Sequence, residues 1–389
     1  METPWLKNKM YYRLFLISVL FITHSALLSG QVKIRLFSSL TPESAVFSVT
    51  EGEYEINTYN DDIVTMITGD LAVISRYKGK LSVKIRNSKG FLCDSVLLTG
   101  KTGKDYFSLR INNDKPVRQF YSGDLQCLSD LGTLIFINAC KIEDYIAGVV
   151  RSEGRSGKNG EYYNTQAIIV RTYMYKYFDR HLTDNYNLCD NTHCQAFNGL
   201  SFDTAIASAT LQTKGLVILG PDSSLINSAF HSNCGGETLP SEDVWVSGHS
   251  YLTRIADPYC LNSPNARWQQ RISLNNWTNY MRRSGYSGTL NDPSVFSFAQ
   301  KSRSLEYTVG TFTLPLRQIR TDLNLRSTFF SITVEGDSVI LNGRGYGHGV
   351  GLCQEGAMVM AAKGYNFRQI IDFYFPGVRI EDIRNAVTE

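Results

Sequence analysis

The sequence predicts a mixed α+β fold: a β-rich body with a central helix and C-terminal helices, preceded by a small β module. Short runs of alternating apolar and polar residues fill residues 32–140 and are typical of antiparallel strands. Apolar residues then recur at intervals of three and four over residues 163–177, which is the spacing of one helix face. Two further apolar stretches, which stop at Gly364 and at Pro376, indicate the C-terminal helices.

Residues 1–30 have the pattern of a secretory signal peptide. Three basic residues precede an apolar run, Leu14–Thr23, and small residues follow as far as Gly30. The run is too short for a comfortable membrane span. We therefore expect cleavage near Gly30, a periplasmic or extracellular mature protein, and no stable membrane span after cleavage.

Charge and cysteine content narrow the possible functions. The formal net charge of +3 falls to +1 when residues 1–30 leave with three basic residues and one acidic residue, so nothing argues for nucleic acid as a partner. All eight cysteines lie after residue 30, and an even number in an exported chain permits disulfides. Four bridges allow 105 connectivities, among which the sequence does not choose.

The elements follow in order along the chain. The β module, residues 31–139, contains six predicted strands: Lys33–Phe37, Ala45–Val49, Ile63–Thr68, Leu81–Ile85, Tyr106–Ile111 and Thr133–Ile137. The pattern changes at residue 140, and we expect a second domain over residues 140–389. It begins with a helical run, Ile142–Val150, which three glycines separate from the long amphipathic helix. A β-rich part with interspersed helices fills residues 216–341, before helices near 353–363 and 367–374.

The most distinctive local pattern is a loop in which glycine occupies every second position from Gly343 to Gly351. The apolar run Val339–Leu341 before it is typical of a strand that leads into the loop. Backbone of this kind can take positive φ and approach a ligand or another strand closely. We expect a binding surface, with a purely structural turn as the alternative. A phosphate loop is disfavoured, because no register matches G-x-G-x-x-G and no Gly-Lys-Ser/Thr follows.

Six segments in this order resemble the SpoIID/LytB family of cell-wall proteins: YIAGVVRSE at 145–153, QAIIVRTY at 166–173, CDNTHCQ at 189–195, HSNCGGET at 231–238, GRGYGHGVGLCQEGA at 343–357 and YFPG at 374–377. The resemblance covers about residues 140–380. The N-terminal β module fits it only loosely.

The resemblance implies a peptidoglycan lytic transglycosylase that acts on glycan strands stripped of stem peptides. Glu153 matches the family's catalytic glutamate, and we expect it in a glycine-broken link before the long helix. Apolar neighbours such as Val149 and Val150 would raise its pKa toward that of a general acid. One carboxyl group suffices for this chemistry, because it protonates the glycosidic oxygen and then assists the sugar's own 6-hydroxyl in closing a 1,6-anhydro ring. Ordinary glycoside hydrolysis uses two.

Other site residues are carried over by the same resemblance. Arg171 matches an arginine that would hold the substrate or orient the carboxylate, with a structural salt bridge as the alternative. Tyr251 matches a family tyrosine, although Thr253 stands at the position of the family's lysine. Cys353 and Glu355 depart from the family pattern on the glycine loop, where they could alter which glycan is bound. The expected substrate-binding residues are Gln195, His231, Ser232, Gly347, His348 and Gln354.

A metal site is the last expectation that the resemblance carries. Some family members bind zinc with a histidine that precedes a Cys-x4-Cys pair, so the expected ligands are His181, Cys189 and Cys194. Three protein ligands of this kind would leave an open position on zinc. A Cys189–Cys194 disulfide, or His193 as the nitrogen ligand instead, are the alternatives.

Two other classes of function stay open at this point. One is a non-catalytic wall-binding protein or an enhancer of another wall hydrolase, with a wall amidase as its partner. The other is a thiol enzyme that uses Cys194 or Cys234 with His193 or His231, although nearness in sequence does not establish the required contact.

Overall fold

The computed structural model describes residues 30–57, 63–86, 90–112, 116–130, 132–154, 159–289 and 292–386. The expected signal peptide and its apolar run lie outside the described residues, apart from Gly30. The described part is mixed α+β, as the sequence predicts.

Two antiparallel sheets built from the first part of the chain confirm the predicted β-rich module. Strand β1, Gln31–Leu36, alternates exposed and buried residues, and so does β6, Lys80–Ile85, because successive side chains of a strand point to opposite faces. The remaining strands are β2 Ser44–Glu51, β3 Glu53–Asn57, β4 Ile63–Ile67, β5 Leu71–Tyr77, β7 Phe91–Cys93, β8 Ser95–Gly100, β9 Tyr106–Ile111, β10 Val117–Ser122, β11 Asp124–Asp130 and β12 Thr133–Lys141.

Strand β13, Leu188–Cys189, joins this module to the rest of the chain. It pairs in parallel with β1, so that the first sheet runs β13-β1-β12-β11-β8-β3-β4. The second sheet runs β10-β9-β2-β5-β6-β7. One hydrophobic core extends from the strands, with Ile34 and Phe107 fully buried, into the helices that follow. The expected division at residue 140 therefore cuts through a continuous core, and the domain limits stay a prediction.

The helices after residue 140 confirm the predicted change of character. The described helices are α1 Ile142–Gly154, α2 Gly160–Lys176, α3 Thr204–Gln212, α4 Leu274–Arg283, α5 Leu316–Asp322, α6 Gln354–Ala362, α7 Phe367–Tyr374 and α8 Ile383–Ala386. Helix α2 is buried around most of its circumference, whereas its apolar stripe predicted one buried face. It lies between α1 and α3, and α7 covers its other side, so its polar residues are enclosed as well.

Short strands complete the second part of the chain: β14 Leu216–Leu219, β15 Phe230–His231, β16 Arg267–Ser273, β17 Glu306–Val309, β18 Phe312–Pro315, β19 Phe330–Glu335, β20 Ser338–Arg344, β21 Leu352–Cys353 and β22 Arg379–Asp382. Strand β15 pairs in parallel with β21, which sets the glycine loop against residues 229–235. Strands β16, β20 and β19 form a sheet with its own core around Trp277 and Leu341.

Among the described residues, no helix is both long enough and apolar enough to cross a membrane.

Candidate functional site

A cavity of about 350 Å³ lies where the end of α1, the loop after β13 and the segment around β15 meet. The cavity brings together motif residues that are distant in the sequence, because more than 190 positions separate Glu153 from His348. The cavity is lined by Glu153, Tyr173, Thr192, Cys194, Gln195, Asn227, Ser228, Ala229, Phe230, Trp245 and His348.

Glu153 lies in the last turn of α1, which corrects the expectation of a loop position. Gly154 ends the helix after Glu153 rather than before it. The carboxylate oxygen Oε1 accepts a hydrogen bond from the backbone N–H of Ala196 at 3.0 Å. Burial raises the pKa of Glu153 above its ordinary value, and the Ala196 hydrogen bond opposes that rise. The group is therefore more readily protonated near neutral pH than an exposed glutamate.

The loop after β13 packs closely along the end of α1. A Cβ at Gly148 would collide with the Phe197 ring, so glycine in mid-helix permits this approach. The side-chain oxygen of Ser152 accepts from the backbone N–H of Asn198 at 3.0 Å. These contacts fix the position of Ala196, and with it the hydrogen bond to Glu153.

Gln195 extends the polar wall of the cavity. The hydroxyl of Tyr145 donates to Gln195 Oε1 at 3.2 Å, and Gln195 Nε2 is buried without a hydrogen-bond partner among the described residues. A buried donor of this kind costs roughly 1–3 kcal/mol if it stays unpaired. A ligand oxygen in the cavity would satisfy it.

The predicted metal ligands lie together beside the cavity, with one addition. His181, Cys189, His193 and Cys194 have ligand atoms within 4.8 Å of one another. The Sγ of Cys194 is 3.5 Å from His181 Nε2, and the Sγ of Cys189 is 3.6 Å from His193 Nδ1. His181 and His193 were predicted as alternative nitrogen ligands, whereas the structure places both beside the two thiols. Both thiols are free in the structure, and the group could hold a metal ion.

The glycine loop packs against the chain itself. Four of the five alternating glycines, Gly345, Gly347, Gly349 and Gly351, have positive φ, as predicted, whereas Gly343 lies in β20. A Cβ at Gly347 would lie 2.8 Å from His231 Cβ, and one at Gly345 would lie 2.6 Å from the carbonyl oxygen of Asn233. The missing side chains therefore permit close packing on residues 229–235, which supports the structural-turn alternative for the glycines. At Gly345 and Gly347 the backbone closely approaches residues 231–235 of the chain, not a ligand site as expected.

His348 faces the cavity, but both of its ring nitrogens are engaged by the backbone. Nε2 is 3.0 Å from the carbonyl oxygen of Phe230, and Nδ1 accepts from the N–H of Val350 at 3.1 Å. Burial lowers the pKa of His348 to about 4, so the ring is neutral at ordinary pH. The ring centroid of Trp245 lies 5.5 Å away. His348 therefore presents a ring surface beside an aromatic side chain rather than a free hydrogen-bonding nitrogen.

His231, Ser232 and Gln354 lie behind this wall and do not line the cavity. His231 is buried, burial lowers its pKa, and its Nδ1 is 3.1 Å from the carbonyl oxygen of Val350. The carbonyl oxygen of Ser232 accepts from the N–H of Glu355. Gln354 Nε2 donates to the carbonyl oxygen of Glu153 at 3.0 Å. These three residues support the lining instead of forming it.

The two departures on the glycine loop also lie away from the cavity. The Glu355 carboxylate accepts from Asn233 Nδ2 and Asn265 Nδ2, each at 2.7 Å, and is buried. Cys353 faces a separate group of thiols. The expected influence of Cys353 and Glu355 on the bound glycan has no counterpart in the cavity lining.

Arg171 does not contact Glu153. Its fully buried guanidinium forms an ion pair with Glu143 at 2.7 Å and donates to the carbonyl oxygens of Thr213, at 2.8 Å, and Thr210. Glu143 stands ten residues before Glu153 on the same helix, which at 1.5 Å per residue is about 15 Å. The contacts match the structural salt-bridge alternative.

Tyr251 is buried next to the cavity, not in it. Its hydroxyl oxygen accepts from the N–H of Asn227 at 2.9 Å, and Asn227 lines the cavity. The neighbouring Arg254 pairs with Glu237 and Asp243, away from Glu153.

Sequence reasoning missed three aromatic lining residues: Tyr173, Phe230 and Trp245. Tyr173 lies two positions after Arg171, at the end of the segment QAIIVRTY, where the sequence pattern does not distinguish a lining residue from a core residue. Burial raises the pKa of Tyr173 to about 12, and its hydroxyl accepts from Arg180 at 2.8 Å. Aromatic faces of this kind are suited to stacking on sugar rings.

Of the cysteine–histidine pairs considered for a thiol enzyme, Cys194 and His193 are close to each other, whereas Cys234 and His231 are not in side-chain contact. Cys194 Sγ is 3.7 Å from His193 Nδ1, but this pair belongs to the four-residue group above. The described side-chain contacts of the Cys234 thiol are with Asp257 and Cys260, not with His231.

Comparison with known proteins agrees with the motifs. Residues 131–219 match the family model described as "SpoIID: Stage II sporulation protein". An uncharacterized protein of Brachyspira hyodysenteriae is 26% identical, over 90% of this chain and 94% of its own length. Stage II sporulation protein D of Bacillus subtilis is 26% identical over 62% of this chain and 74% of its own length. The amidase enhancer of Bacillus subtilis is 26% identical over 60% of this chain, but only 40% of that protein is covered. These matches confirm the resemblance to the SpoIID/LytB proteins.

Proposed function

We propose that this protein is an exported peptidoglycan lytic transglycosylase that cleaves glycan strands stripped of stem peptides and leaves 1,6-anhydro ends. The observation that carries the proposal is the cavity lining: Glu153 is the one carboxylate among its described lining residues. A single carboxyl with a raised pKa suits lytic cleavage, whereas hydrolysis by the usual mechanisms needs a pair.

Glu153 would act first as an acid and then as a base. The protonated carboxyl donates its proton to the glycosidic oxygen while the bond from C1 to that oxygen breaks. The resulting carboxylate then takes the proton of the sugar's 6-hydroxyl as O6 bonds to C1, so the enzyme ends in its starting protonation state. The Ala196 hydrogen bond holds Oε1, while Oε2 has no hydrogen-bond partner among the described residues. We assign the transferred proton to Oε2.

Adjoining cavities support a polymeric substrate. A cavity of about 820 Å³ along the β module shares Thr192 with the Glu153 cavity. Another of about 270 Å³, which includes Arg317 and Arg320, shares His348 with it. Glu153 thus has space on both sides, as cleavage within a strand requires. Tyr173, Phe230 and Trp245 would stack on sugar faces, and Gln195 Nε2 would donate to a sugar oxygen.

The residues predicted to hold zinc, His181, Cys189 and Cys194, fit that ion together with His193. These four supply the nitrogen and sulfur ligands of a four-coordinate site, which would be closed, whereas the three predicted ligands would have left an open position. When bound, zinc would supply a structural cross-link rather than a reaction step. The ligands hold the loop that ends in Gln195 and Ala196, and so they position the Glu153 hydrogen bond.

The supporting residues have other roles in this proposal. Tyr251 positions Asn227, and Gln354 fixes the end of α1, while Arg171 stabilises the helix packing. His231 and Ser232 hold the glycine loop in place. None of these would exchange a proton with the glycan.

A second candidate function is enhancement of a wall amidase, favoured by the similarity to the Bacillus subtilis amidase enhancer. Purified protein incubated with denuded glycan distinguishes the two functions by mass spectrometry of the products. Anhydro-ended fragments that vanish with Glu153→Gln support the transglycosylase. No cleavage, together with faster release of stem peptides by an added amidase, would replace it with the enhancer. Cleavage that survives thiol alkylation excludes the thiol enzyme.

A further inference from the structure

A second group of ligand-type side chains lies under the glycine loop, apart from the cavity. Cys234, Asp257, Cys260 and Cys353 are all buried, none is more than 1% exposed, and their ligand atoms lie within 4.8 Å of one another. They come from three segments: the turn after β15, the loop near residue 260, and the residue that caps α6.

The distances fit a shared ion better than a disulfide. The sulfurs of Cys234 and Cys260 are 3.3 Å apart, whereas a disulfide bond is about 2.05 Å long. Cys234 Sγ is also 3.2 Å from Asp257 Oδ2. Four ligands placed tetrahedrally at about 2.3 Å from zinc stand roughly 3.8 Å apart. A single bridge would leave the third thiol and the carboxylate at the same point without a role.

The surrounding donors favour anionic ligands. Cys353 Sγ accepts from the N–H of Cys234 at 3.2 Å and from the N–H of Gly356 at 3.4 Å, at the N-terminus of α6. The hydroxyl of Tyr374 donates to Asp257 Oδ2 at 2.9 Å. Hydrogen bonds of this kind orient metal ligands and stabilise their charge.

Asp257 also lacks a basic partner. Among the described residues no lysine, arginine or histidine forms an ion pair with its carboxylate. The carboxylate accepts from the N–H of Tyr259 at 2.8 Å and from the Tyr374 hydroxyl, which offset part of the cost of burying its charge. A divalent ion among the three thiols would supply the countercharge that these neutral donors do not carry.

We propose that Cys234, Asp257, Cys260 and Cys353 bind a structural zinc ion, distinct from the group at His181. The site is closed, with four protein ligands and no exposed position. It ties the first turn of α6 to the strand that carries the cavity wall. Because Gln354 is the next residue after Cys353 and contacts the end of α1, the ion would stabilise the back of the cavity. The inference does not depend on the proposed reaction.

Zinc analysis in a background without the first site is the direct test. We expect about one zinc per chain in the His181→Ala/Cys194→Ser variant grown with zinc, and close to none when Cys353→Ser is added. Cys127→Ser, which changes a buried free cysteine outside both groups, should keep about one. Absence of zinc from the first variant, or its retention after Cys353→Ser, would overturn the site.

A second test uses wild-type protein and so does not depend on the folding of a variant. Denatured in chelator without reductant, it should show eight reactive thiols, one for each cysteine in the sequence. A Cys234–Cys260 bridge in the peptide map would instead establish a disulfide and refute the ion. With Co²⁺ in place of zinc, the His181→Ala/Cys194→Ser variant should show thiolate-to-metal absorption from one site per chain. Absence of that absorption would count against the proposal.

Discussion

Replacement of Glu153 by glutamine should abolish glycan cleavage and leave the fold intact. The amide keeps the size of the side chain, and its oxygen can still accept from Ala196, so the packing of the loop is retained. The amide cannot donate or take up the proton. Loss of general acid–base catalysis costs a factor of about 10² to 10⁴, equivalent to roughly 3–5 kcal/mol of activation free energy.

The assay is the initial rate of anhydro-end formation from purified denuded glycan, followed by mass spectrometry. Glu335→Gln is the matched control, because Glu335 is exposed at the end of β19 and lies away from the cavity. The control should cleave at the wild-type rate. Activity of Glu153→Gln within about threefold of wild type would refute the assignment of Glu153 as acid and base.

The same variant makes a separate prediction about stability. Because burial raises the folded-state pKa of Glu153, the charged form is disfavoured in the folded protein. Wild type therefore loses stability as pH rises from the unfolded pKa of about 4.3 through the folded pKa. Glutamine carries no such penalty. Glu153→Gln should match wild type in unfolding midpoint near pH 4 and exceed it at pH 8, and an equal midpoint difference at both values would contradict the burial argument.

Three further predictions follow from the contacts. Arg171→Gln leaves Glu143 without its partner and should lower the free energy of unfolding, measured by urea titration, by about 3–5 kcal/mol. Turnover per folded molecule should stay unchanged. Unchanged stability together with lost turnover would instead support a catalytic role for Arg171. Gly347→Ala should cost about 1–3 kcal/mol, because φ is +116° and a Cβ would crowd His231, and a wild-type melting curve would disprove that packing. His348→Ala removes two hydrogen bonds to the backbone, worth about 0.5–1.5 kcal/mol each. It should lower both the thermal unfolding midpoint and the affinity for denuded glycan. An unchanged midpoint would show that these hydrogen bonds do not stabilise the fold.

Elements with a strong local signal could be predicted. All six predicted strands are present, and the long helix lies over the residues that its apolar spacing indicated, but six further strands among the described residues 31–141 were not predicted. The predicted end of the helix before Glu153 was too early by about one turn, because glycine marks the end of a helix only to within a few residues. Gly148 shows the reverse case: it remains in mid-helix because the Phe197 ring needs the space.

Partners from distant segments could not be predicted from the sequence. Arg171 and Glu143 are 28 positions apart, and only the packing of α1 on α2 brings them together. Alternating glycines predicted positive φ, but nothing in the pattern specified that the loop would pack on residues 229–235. The buried group around Cys260 combines ligands from three segments, so its spacing resembles no short metal motif.

The loop after β13 explains how Glu153, at the end of a helix, is held in place for the acid–base role that we propose. Asp190 accepts from the backbone N–H and side-chain hydroxyl of Ser38, which ties the loop to the β module. Cys194 lies 3.5 Å from His181, which ties the loop to the segment that follows α2. Only two residues after Cys194, the N–H of Ala196 reaches Glu153. The β module, which carries no recognisable chemistry of its own, therefore contacts the carboxylate through one short segment. In the proposed mechanism, loosening either anchor should lower the rate of glycan cleavage without removing any group that would touch the glycan.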